Sequence, residues 1–74
     1  MTLADVRPGQ TVLILDIISD DVRSQALRLG IGVGQKAVCH TNIPKGPVVL
    51  GKSRQEIAIG RQLAHEIVIE VVAA

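Results

Sequence analysis

The sequence predicts a mainly β fold: one small barrel domain over residues 1–74, with about five short strands, one short α-helix after the first strand and a one-turn helix before the last. Three observations carry this. Hydrophobic residues make up 47% of the chain with no aromatic among them, so the core must be built from Ile, Val, Leu and Ala, a mixture rich in β-branched side chains that favours strands. The apolar runs are short and bounded by glycine or proline. Only two stretches read as helical, too few to supply the crossovers of a parallel sheet, so the strands must cover their apolar side by curling shut.

Each element follows from its residues. Leu3 to Val6 is an N-terminal arm ending at the turn dipeptide Pro8-Gly9. Thr11 to Ile18 is an almost unbroken apolar run, too short for a typical helix, and predicts a strand covered on most of both faces. Ser19-Asp20-Asp21 supplies an N-cap and first-turn acids, and Val22, Ala26 and Leu29, with Leu27 at the margin, fall at helical spacing, predicting a helix over 21–29. Gly30 suits the left-handed residue that closes a helix, Arg28 favours the negative end of the helix dipole, and Gly32 and Gly34 complete a turn into the next strand.

That second strand is expected over Lys36–Ile43, with Ala37, Cys39, Thr41 and Ile43 on the inner side and Lys36, Val38, His40 and Asn42 on the wetter one. Pro44 to Pro47 is a turn, Val48 to Leu50 a third strand, and the polar stretch from Gly51 to Gln55 a loop. Glu56 to Ile59 alternates as a fourth strand, Arg61 to His65 makes the helical turn burying Leu63 or Ala64, and Glu66 to Val72 is the last strand with Ile67, Ile69 and Val71 inward.

Composition narrows function. Without rings the chain lacks the platforms for base stacking, proline-rich peptide capture or cation cages. Eight basic and seven acidic residues give a net charge of +1 with no run of like charge, which disfavours nucleic acid as a partner. Cys39 is the one cysteine, so no internal disulfide can form. The N-terminal residues do not form a secretory signal and no long apolar span occurs, so a cytoplasmic location is expected.

Leu27-Arg28-Leu29-Gly30-Ile31, the spacing to Gly34, the Ala37-Val38-Cys39 strand, Pro47-Val48-Val49-Leu50, Ile57-Ala58-Ile59 and Leu63-Ala64-His65-Glu66-Ile67-Val68-Ile69 together resemble the FeoA family. The resemblance covers nearly the whole chain and implies an SH3-like barrel, a small cytoplasmic component of bacterial ferrous iron uptake. It also implies a partner, the cytoplasmic GTPase region of the transporter FeoB, so that the membrane is met only through that transporter. Related domains form the C-terminal part of DtxR-type metal-dependent repressors, which gives a stand-alone regulatory domain as the alternative. The chain departs from the family's usual pattern at Gln25-Ala26 and at Val33.

Surface recognition is therefore expected, on Arg23, Leu27, Arg28, Leu29 and Ile31 around the helix end, with Lys45 in the neighbouring turn and Gly30, Gly32 and Gly34 as its structural elbow. A phosphate-binding reading of those glycines fails on order, because phosphate loops lead from a strand into a helix and here a helix leads into a strand. Cys39 and His40 are neighbours in a strand and point to opposite faces, so they do not chelate one ion; Cys39 reads as a small core residue and His40 and His65 as surface groups. No metal site, no cofactor and no catalytic arrangement is expected, and unpaired sheet edges would allow self-association.

Overall fold

The first strand bends where an aspartate would otherwise be driven into the core. In the computed structural model, which describes residues 1–74, β1 (Thr11–Ile17) buries Val12 and Ile14, and strict alternation would send Asp16 in after them. The pairing with the last strand instead slips between Ile14 and Asp16, a bulge that turns Ile17 inward and leaves Asp16 exposed. The Ile17 N–H donates to Asp16 Oδ1 at 2.8 Å, so the acid serves the bulge that keeps it outside. The expected cover on both faces of this strand is thus corrected: Leu15 and Asp16 are exposed, and Ile18 lies beyond the strand with 65% exposure.

The helix α1 (Asp20–Leu29) starts at Ser19, whose Oγ accepts the Val22 N–H at 3.2 Å, and ends at Gly30, which has φ 81°. The Gly30 N–H donates to the Leu27 carbonyl and the Ile31 N–H reaches back to the Ala26 carbonyl at 2.9 Å, the paired bonds of a Schellman ending. This ending places Ile31 against Ala26, and both are fully buried.

Four further strands complete one antiparallel sheet: β2 (Lys36–Asn42), β3 (Val48–Lys52), β4 (Gln55–Ile59) and β5 (Ile67–Ala73), in the order β4-β3-β2-β1-β5. A second slip, between Cys39 and Thr41 in the β2–β3 pairing, reverses the facing of the end of β2. Ala37 and Cys39 are buried as their spacing predicts, but Thr41 and Ile43 are exposed and Asn42 is half-buried, the opposite of simple alternation. The polar stretch before β4 is no loop: Ser53 and Arg54, at φ 51° and 68°, make a two-residue turn that brings Lys52 opposite Gln55.

The terminal strands of the sheet, β4 and β5, do not pair with each other. On the β5 side a 3-10 turn (Leu3–Asp5) at the N-terminus packs against β5 and α2 (Arg61–Ala64), and the two bury Leu3 and Ala64. The Arg61 guanidinium holds this end together, donating to the carbonyls of Ala4 at 3.0 Å, Gly46 at 2.9 Å and Ile43, and to the side-chain oxygen of Asn42. Asn42 in turn donates to the Ala4 and Val6 carbonyls at 3.0 and 2.7 Å. The core inside is entirely aliphatic apart from Cys39, and no polar side chain is buried without a partner.

Arg61→Met should therefore cost about 2 kcal/mol, because it strips a charged donor from several half-buried carbonyls at once. Arg61→Lys should recover little, since one ammonium cannot span the same acceptors. Urea denaturation of the three proteins checks this.

Candidate partner-binding surface

The end of α1 leaves two leucines outside because of its length and its cap. Only Val22 and Ala26 are buried along the helix, and the residues flanking Ala26 stand on either side of that narrow stripe, with Leu27 67% and Leu29 39% exposed. Leu27, Gly30, Gly32, Val33, Gln35 and Lys52 line one shallow depression, and Val33 is itself 51% exposed. Gly32 lets Leu27 lie close over the elbow, since a Cβ there would come 2.9 Å from Leu27 Cδ2 and push that exposed side chain aside.

The elbow is pinned from the sheet by a lysine that sequence reasoning did not single out. Lys52 Nζ donates to the Gly30 carbonyl at 2.6 Å and to Gln35 Oε1 at 2.7 Å, placing a cation against the negative end of the helix. The signal lay in its position at the end of β3, but it became readable only once β3 was known to extend past Gly51.

The expected contact residues do not all meet. Leu27, Arg28 and Leu29 are exposed together at the helix end. Ile31 is a correction: it is 0% exposed, a core residue beneath the cap, and takes no part in any surface. Arg23 sits in the first turns of α1, its guanidinium donating to the Ile17 carbonyl at 2.9 Å and to Asp20 at 3.2 Å, with Asp16 at 3.6 Å. Lys45 has φ 61° in the β2–β3 turn, at the far end of β3 from Lys52. The surface that the fold assembles is thus Leu27, Val33 and the Gly30–Gly34 elbow, with Arg28 and Leu29 on its other flank.

The metal-ligating candidates are scattered. Nowhere do three or more His, Cys, Asp or Glu side chains gather as an ion would require. Cys39 is buried and its thiol is pushed up from the ordinary range by burial alone. His40 points outward and its Nδ1 lies 2.9 Å from Glu56 Oε2, reaching across β3 above Gly51. Only glycine permits that reach, since a Cβ at 51 would come within 2.1 Å of His40 Nε2.

Fold and surface together define a small SH3-like β-barrel. The pattern of the FeoA domain matches residues 1–71, and the chain belongs to the FeoA family, a membership that suggests a role in ferrous iron transport. The crystal structure of an iron uptake regulatory protein (FeoA) superposes with a TM-score of 0.83 at 22% identity, over 93% of this chain and 96% of that one. The FeoA-like protein of Clostridium acetobutylicum gives 0.85 at 21% identity, over 100% of this chain and 88% of that one. The fold also matches part of ScaR, determined with bound Cd2+, with a TM-score of 0.81 at 19% identity over 95% of this chain and 35% of that one. A search of curated proteins gives no match. No helix is long and apolar enough to cross a membrane.

Two measurements test the assignment of inner and outer residues. Ile31→Ala should lower stability by about 2–5 kcal/mol by opening a cavity, whereas Leu27→Ala should change it by less than about 0.5 kcal/mol, both read from urea curves. Cys39 is neutral and more reluctant to ionise in the native state, so its contribution is full below the ordinary thiol value. It is lost progressively as pH rises from there through the raised native value. The drop in stability above pH ~8.5 should shrink in Cys39→Ala, followed by thermal melts across pH.

Proposed function

We propose that this chain is an accessory protein of ferrous iron uptake that acts in the cytoplasm by docking on the GTPase region of the transporter FeoB and modulating transport, without catalysing a reaction itself. One observation carries the reading: Leu27 and Val33 stand exposed on an elbow whose backbone is held by a helix cap and by Lys52. Apolar side chains on a fixed backbone lose little freedom on binding, so even a small patch can anchor a partner. Family membership supplies the transport context.

The fold shared with part of ScaR favours a second reading, in which the barrel is a regulatory domain working beside a metal-responsive repressor. The two differ in the protein they touch. Immobilised FeoB GTPase region should retain the wild-type chain, and Leu27→Asp and Val33→Asp should each weaken retention at least ~10-fold, or about 1.4 kcal/mol, with unchanged circular dichroism. No retention of the wild type, or retention of both variants at its level, overturns the docking proposal.

A further inference from the structure

The ladder between β3 and β4 leaves one row of backbone groups with nothing to bond. The two-residue turn at Ser53-Arg54 fixes its phase: Gln55, Ile57 and Ile59 exchange hydrogen bonds with Lys52, Leu50 and Val48, so the N–H and C=O groups of Glu56 and Ala58 point away from the sheet. Neither residue's backbone bonds to any turn, loop or cap, and β4 is a terminal strand of the sheet. The edge is open, and it is not blunted by a proline or by an inward-pointing charge, since Ile57 and Ile59 fill the core.

A groove runs along this edge. Arg28 and Leu29 from the end of α1 form one wall, and Gln55, Glu56, Ile57 and Ala58 form the other. Glu56 and Ala58 are exposed on the strand, and Leu29 offers apolar surface for a side chain laid beside it. Arg28 on the wall is an exposed cation with no carboxylate partner within the chain, whereas the carboxylate of Glu56 on the opposite wall is paired with His40 at 2.9 Å.

We infer that this edge is a strand-addition site that captures an extended segment of another protein, one with apolar side chains at alternate positions and an acidic residue to meet Arg28. Backbone hydrogen bonds to Glu56 and Ala58 supply the attraction, Leu29 selects an apolar residue, and Arg28 selects the acid. The inference stands apart from docking on FeoB, which is tested at Leu27 and Val33 on the other flank of the helix.

The test uses two fluorescein-labelled octapeptides with the same alternating Val-Thr centre, one flanked by glutamates and one by lysines, titrated with the full chain and read by anisotropy. The glutamate peptide should bind saturably and at least ~10-fold more tightly than the lysine peptide, shifting the Glu56 and Ala58 amide resonances. Ala58→Pro removes the outward N–H without touching the β3 ladder and should abolish binding, whereas Ala58→Ser should preserve it. Arg28→Glu should reverse the preference between the peptides. Absence of binding by the glutamate peptide, equal binding by Ala58→Pro, or equal affinity for both peptides overturns the proposal. Concentration-dependent dimerisation that Ala58→Pro abolishes overturns it in favour of self-pairing.

Discussion

The barrel depends on how its seam is closed. A five-stranded sheet of this size could complete itself by pairing β4 with β5, but it does not, and the end beside β5 is closed by a 3-10 turn, a four-residue helix and one guanidinium. Arg61 can do this because its donors diverge in a fixed plane, so it reaches the N-terminal turn, the β2–β3 turn and Asn42 at once. Its partners are neutral oxygens, so its charge is uncompensated by any carboxylate within 4 Å and is kept solvated at the half-buried rim. The same arrangement leaves β4 without a second neighbour. An open sheet edge in this fold is thus a consequence of closing the core with side chains in place of a strand pair.

The absence of aromatic residues shapes the interior in a related way. Ile, Val and Leu fill a core of this radius only if every strand keeps its inward residues aliphatic, and the two bulges are where the chain meets that demand. At the first, Asp16 occupies the inward parity and is expelled. At the second, Asn42 is brought towards the interior with its amide fully used, and Ile43 is left outside. Polar atoms thus enter the rim of the core only where Arg61 and backbone carbonyls await them.

Much of this was legible in the sequence. Ser19, Gly30 and the apolar stripe of α1 marked the helix, and the aliphatic runs marked the strands. The bulges were harder, because alternation carries no marker of phase, although Asp16 on the same parity as Val12 and Ile14 was a sign that the phase must change. The Ser53-Arg54 turn carries no sequence marker, because left-handed pairs are normally announced by Asn or Gly, and here the β3–β4 register imposes the conformation on residues that do not prefer it. Ile31, expected on the contact surface around the helix end, is a core residue. The physical signal pointed inward: an apolar residue immediately after a left-handed glycine is the residue that a Schellman ending folds back against the helix.

The placement of Ile31 also explains why one short helix can serve two faces. Successive helical residues turn by about 100°, so Leu27 and Leu29 fall on opposite flanks of Ala26. With Ala26 and Ile31 clamped in the core, α1 cannot roll to bury either leucine without exposing the cap. Leu27 is held over the glycine elbow and Leu29 over the groove beside β4, each lining a different depression. Both leucines stay outside because the site that would bury them is already occupied by an alanine and an isoleucine that together match the narrow space between helix and sheet. A larger residue at 26 would lift the helix end, and both surfaces would change together although neither contains that residue.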